Sequence, residues 1–161
     1  LEIFEKLFGF ESKSFVAPCS IRGDHLDKVL YNSGVLFHQC GQQFIPDKSG
    51  SLRIKNRMWG QRNSLGQIYW RRNCTFEPSR DHNYDWVDSC LAEMKIAFKW
   101  GKPAVINSHR VNFIGSIFPE NREKSLKALR KLIRSALSIW PDIEFMSSDA
   151  LGDMIAQSNI S

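Results

Sequence analysis

The sequence has no CxxC pair, no two histidines close enough to share a helix face or strand, and no long uninterrupted apolar run. The four cysteines, Cys19, Cys40, Cys74 and Cys90, are scattered. That spacing excludes a zinc ribbon or a thioredoxin-type motif. It fits reduced thiols in a cytoplasmic setting better than a disulfide framework. The four histidines, His25, His38, His82 and His109, stand apart, which excludes a local two-histidine metal site. Nothing approaches the ~18 apolar residues of a membrane span. The chain starts at Leu1 without a charged segment leading into an apolar one, so the true N-terminus is expected upstream, where a signal peptide stays open. Charge of one sign is in short supply too: 22 Lys and Arg against 17 Asp and Glu leave a net +5. That permits an acidic partner without demanding one.

What is present is apolar bulk. The chain of 161 residues is 42% hydrophobic, with 11 Phe and 5 Trp, enough for the core of one domain. "LEIFEKLFGF" has helical spacing and stops at Gly9; "SFVAP" reads as a strand closed by Pro18. "GDHLDKVLYNSG" reads as a helix that Asp24 can cap and Gly34 ends. Further strands are expected at "VLFHQC", "QIYWRRN", "PAVINS" and "IEFMSS". Helices are expected at "YDWVDSCLAEMKIAFKWG", "NREKSLKALRKLIRSALSIW" and "SDALGDMIAQS", the last capped by Ser148. Residues 41–66 break this rhythm as a long basic irregular segment carrying Lys48, Arg53, Lys55, Arg57 and Arg62.

Five strand–helix units predict an α/β chain, residues 1–161 as a single domain, with parallel strands near 14–18, 35–39, 67–71, 103–108 and 143–146. A complete (β/α) barrel takes about 250 residues. The expectation is therefore a parallel, barrel-like sheet forming the C-terminal part of such a barrel, or an open α/β sheet. Ligand sites in these folds lie at the C-terminal strand ends. Here those ends carry Pro18, Gln39, Arg72 with Asn73, and the cluster Ser108, His109, Arg110 and Asn112. Glu77, just past "RRNCTF", has two readings. It is a catalytic carboxylate of the retaining-glycosidase kind, which needs a second carboxyl about 5 Å away. Alternatively, and preferred, it pins its loop through an ion pair with Arg71 or Arg72.

The order "SFVAP", "YDW", "AVINSH" resembles the last three motifs of the polysaccharide deacetylase family, the carbohydrate esterases of family four. "WGKPAVINSHRVNFIG", followed by the amphipathic helix and "PDIEFMSS", is similar to a divergent bacterial branch of deacetylase-like proteins. The resemblance implies an incomplete, deformed seven- or eight-stranded barrel and hydrolysis of an N-acetylated polysaccharide or sugar. It makes His109 the general acid and Asp85 the carboxylate that orients it. It makes Trp86 one wall of a sugar groove and Pro18 the other, with Arg110, Asn112, Asn73 and Glu77 flanking the substrate. The family's divalent metal, zinc or similar, is held by an Asp-Asp segment and a His-x-x-x-His that this sequence lacks. These are expected upstream of Leu1, so this chain alone is expected to bind no metal and to be inactive. Asn107 replaces the family's apolar Leu, and Val16 its Arg.

Two alternatives stand beside the deacetylase. One is a glycoside hydrolase using Glu77 and Asp85. The other is a non-catalytic glycan-binding barrel whose basic segment, Lys48 to Arg62, holds an acidic polysaccharide. Neither a nucleic-acid nor a membrane partner is expected, because aromatics scarcely interleave with the basic run. An open barrel edge leaves self-association possible.

Overall fold

A computed structural model describes residues 2–158. The chain forms two compact units: one runs from the N-terminus to Arg71 and takes in the segment from Phe145 onward; the other is Arg72–Glu144.

The first unit holds a three-stranded parallel sheet of β1 (Ser14–Phe15), β2 (Phe37–Gln39) and β5 (Ile68–Trp70), in the order β1-β2-β5. Phe37, His38, Ile68, Tyr69 and Trp70 are all buried, the unbroken burial expected of parallel strands covered on both faces. Helices α1 (Glu2–Phe8), α2 (Leu26–Asn32) and α5 (Ser148–Ser158) belong to the same unit. Ser147 rather than Ser148 caps α5, its Oγ accepting the Ala150 N–H at 3.1 Å.

Residues 41–66 are not an irregular excursion. They contain an antiparallel hairpin of β3 (Gln42–Pro46) and β4 (Leu52–Asn56). Asp47 Oδ1 accepts the N–H groups of Ser49 and Ser51 at 2.8 and 3.0 Å, and Gly50 takes φ +85°. An Asx turn followed by a left-handed glycine closes the hairpin. Asp24, expected to cap α2, serves the hairpin instead: its carboxylate accepts from Lys55 at 3.0 Å, Gln43 at 3.0 Å and Arg57 at 3.4 Å. Arg57 is itself buried, lies 4.2 Å over the Tyr69 ring and donates to Gln43. Arg22, also buried, pairs with Asp27 and donates to the Tyr69 hydroxyl.

The second unit is β6 (Cys74–Thr75), α3 (Trp86–Lys99), β7 (Ile106–Asn107) and α4 (Pro119–Ile139). Strands β6 and β7 pair in parallel across the intervening helix. Cys74, Phe76, Val87, Cys90, Met94, Leu132 and Ala136 form its core. Burial pushes the Cys74 thiol up to about 12 and the Cys90 thiol up to about 11, so both are inert packing groups.

The expected barrel is not there. Among the described residues the strands fall into three separate small sheets, one of them antiparallel, and none closes on itself. The segment 143–146 makes no strand, and β7 is shorter than the expected 103–108. Strand–helix rhythm is a local property; a barrel also needs a continuous ladder of matched strand lengths. Strands of two to five residues do not supply one.

Two measurements test this packing. A Cβ on Gly152 of α5 would lie 2.3 Å from Phe37 Cδ2. Alanine there raises helix propensity by about 1 kcal/mol, but the overpacking costs about 1–3 kcal/mol. Gly152→Ala should therefore lower stability in urea; a gain would show that α5 does not seat on Phe37. His38 is the second. Its ring is buried, stacked on Tyr69 at 5.0 Å, and neither ring nitrogen has a hydrogen-bond partner. Burial, with Arg22 nearby, lowers its pKa to about 4. Below the unfolded value of about 6.5 the unfolded chain takes up a proton that the folded chain refuses. Stability should thus fall between about pH 6.5 and pH 4, by up to about 3 kcal/mol. His38→Phe should flatten the stability profile in that window, and a profile of unchanged slope would refute the assignment.

Candidate functional site

The β6–β7 register pairs Thr75 with Asn107. Two residues further along each chain, side chains on the same face of parallel neighbours meet again. Those residues are Glu77 and His109. His109 Nδ1 lies 2.6 Å from Glu77 Oε1. The His109 backbone N–H also donates to the same carboxylate, at 3.2 Å to Oε1. The Glu77 side chain is 8% exposed and the His109 ring 68% exposed.

Asn112 supports this pair from below. It is fully buried in the 3₁₀ turn Arg110–Phe113 that follows His109. Its Nδ2 donates to Glu77 Oε2 at 2.7 Å and to the His109 carbonyl at 2.9 Å. Its Oδ1 accepts from the Ser79 N–H at 3.0 Å and from the Ser79 hydroxyl at 2.6 Å. A buried carboxylate is tolerable only when its oxygens are bonded, and here both are. With Nδ1–H donating to the carboxylate, the neutral ring carries its lone pair on Nε2. No group among the described residues bonds Nε2. The result is an exposed, oriented imidazole nitrogen able to give or take a proton.

Asp85, the expected partner of His109, is elsewhere. It is the N-cap of α3, its Oδ1 accepting from Val87 N at 3.0 Å and Asp88 N at 2.9 Å. Its other oxygen lies 3.6 Å from Lys131 Nζ. The Asp88 N–H above all, helped by Lys131, holds the carboxyl below its ordinary value. Glu77 makes no ion pair with Arg71 or Arg72; its two oxygens accept instead from His109 and Asn112. The remaining expected site residues divide. Trp86 donates its Nε1–H to the Asp81 carbonyl at 2.9 Å and packs edge-on against Tyr84 at 4.7 Å. Asn73 bridges the strands, donating to the Pro103 carbonyl and accepting from Val105 N. Arg110 is exposed at the start of the 3₁₀ turn. Pro18 belongs to the other unit, in a short turn where Cys19 and Ser20 take positive φ.

Sequence reasoning named Glu77, His109 and Asn112 but did not join them. The available signal was two short apolar strands, "CTF" and "VIN", each followed within two residues by a titratable group. The basic segment also changes meaning. Lys55 and Arg57 are bound to Asp24, and Arg62 donates to the Gly66 and Ala156 carbonyls. Lys55 and Arg57 thus brace the hairpin through Asp24, while Arg53 stays largely exposed beside it. Among the described residues, no three of His, Cys, Asp and Glu come together to hold a metal ion, so the donor set for the divalent metal implied by the family resemblance is not met there. No helix among them is long and apolar enough to cross a membrane.

Comparison with protein-family models, with curated proteins and with solved structures finds no match for this chain.

The cap assignment gives a direct test. Asp85→Ala should lower stability by about 1 kcal/mol, the usual worth of an N-cap. Asp85→Asn, which can still cap, should stay within a few tenths of wild type. Equal losses in a urea titration would mean that the carboxylate does something other than cap α3.

Proposed function

We propose that this chain carries the proton-transfer centre of a carbohydrate-active hydrolase that removes an acyl group from an N-acetylated sugar or polysaccharide. The observation that supports this is the 2.6 Å bond between the buried Glu77 and an exposed His109. The carboxylate fixes the ring's tautomer and direction, leaving Nε2 as the working atom. In amide hydrolysis a proton leaves the attacking water and a proton must reach the departing amine. One imidazole can do both in turn: Nε2 takes a proton from water as the C–O bond forms, then gives it to the amine nitrogen as the C–N bond breaks. Asn112 and Ser79 act as positioning residues, holding the carboxylate that holds the ring.

The test is acetate release by the full-length protein from chitohexaose and from hyaluronan, N-acetylated glycans without and with carboxylates. His109→Ala should lower kcat by about 10²–10⁴-fold, the usual contribution of a general acid–base group, and should lower the melting temperature as well, because the buried carboxylate loses its closest donor. Asn112→Ala should lower both kcat and the melting temperature, because it unbonds a buried carboxylate oxygen. Wild-type turnover by His109→Ala would end this reading, as would a wild-type protein that releases no acetate.

A further inference from the structure

The second unit contains an open groove of about 950 Å³ between the loop Pro78–Asp85 with the start of α3 and one face of α4. Its two walls differ in chemistry. On the loop side stand Tyr84 and Trp86, with the carboxylate of Asp81. On the α4 side stand Lys127, Arg130 and Arg134. All three are exposed, and none forms a salt bridge among the described residues. Lys124 and Lys131, on the same wall, are held by Glu120 and Asp85. A helix rises about 1.5 Å per residue, so Lys127 and Arg134 are separated by about two turns along the groove.

We infer that this groove binds an anionic, carboxylate-bearing polysaccharide, which names the substrate class for the site. The inference rests on the hydrolase reading above for the ligand being a glycan. The rest comes from the walls. Sugar rings present apolar C–H faces that lie flat on aromatic rings, and Trp86 is fixed for this by its bond to the Asp81 carbonyl. Sugar hydroxyl groups can donate to Asp81 Oδ2, the oxygen left over once Oδ1 accepts the Asn83 N–H. Carboxylates along the chain meet the guanidinium forks of Arg130 and Arg134, which match carboxylate geometry. A single-stranded nucleic acid suits the groove less well. It carries a phosphate on every residue and stacks bases on a series of aromatics, whereas this groove offers one aromatic pair. The groove and the His109–Glu77 pair share a loop, since Pro78 follows Glu77 directly.

The experiment is calorimetric titration of the full-length protein with polygalacturonate, neutral chitohexaose and an oligodeoxythymidylate. Polygalacturonate should bind more tightly than the other two and weaken as salt rises. Lys127→Ala/Arg134→Ala, two exposed changes, should weaken polygalacturonate about tenfold and leave chitohexaose and the melting temperature unchanged. Binding of chitohexaose as tight as polygalacturonate would overturn the inference. So would an unaffected double variant, or tighter binding of the oligodeoxythymidylate. His109→Ala keeps the two proposals apart. If it loses turnover while polygalacturonate selectivity is absent, the groove inference alone fails. If polygalacturonate binds selectively but turnover does not depend on His109, the acid–base reading alone fails.

Discussion

The second unit is organised around one buried carboxylate. Glu77 sits where two short parallel strands end, and nearly all of its surface is lost to solvent. An isolated carboxylate there would be prohibitive. It is tolerated because a ring nitrogen, a backbone N–H and an amide nitrogen all point at it. Each donor comes from the segment that follows β7. The carboxylate therefore ties the loop after β6 to the turn after β7, and Asn112 passes the constraint on to Ser79. Removing any donor weakens the pairing of a buried charge, and turning the His109 ring away from Glu77 would do the same, which holds the ring in one orientation.

Charge is used differently in the two units. In the first, Arg22 and Arg57 are buried around the Tyr69 ring, with Asp24 and Asp27 as their counter-charges. These cations hold the hairpin and the parallel strands; they are structural and inward. In the second, the helix α4 leaves several cations without a counter-charge along one face. A net charge of +5 for the whole chain hides this difference. The sequence shows the same residue types in "LRIKNR" and "KALRKLIR", and only the folded position separates a buried brace from an exposed, uncompensated face.

Helices were the most legible feature. The apolar spacing and the Gly101 stop bound α3 within a residue or two, and α4 and the last helix fall where their periodicity puts them. Short strands at Ser14, Phe37 and Ile68 were legible from apolar runs between turn residues. The hairpin was missed although Leu52–Asn56 alternates apolar and polar residues as a strand does: the alternation is only five residues long, and its apolar members Leu52 and Ile54 are exposed rather than part of a core. Sheet closure was not legible either. Each strand–helix unit looks the same whether its strand joins a barrel, a three-stranded sheet or a separate pair. In α4 the spacing of Leu126 and Ile133 suits a core face, yet both remain exposed.

The site shows the same boundary between local and non-local information. His109 was visible because a polar group at the end of an apolar strand is a local event. Its partner was not, because two acids were available and their choice depends on register. Asp85 begins a helix, and a helix start presents unbonded N–H groups that attract a carboxylate. One oxygen of Asp85 already serves two of them and the other faces Lys131. A side chain so engaged has no oxygen left for an imidazole. Glu77 follows a strand, where the backbone N–H groups are taken by the ladder, so its carboxylate is free to look sideways to the neighbouring strand. Parallel pairing then decides what it meets. With Thr75 set against Asn107, the residue two past Asn107 is His109. A shift of one residue would have turned the two side chains to opposite faces. The Glu77–His109 contact is thus a consequence of strand register, and no spacing within a single segment of the sequence encodes it.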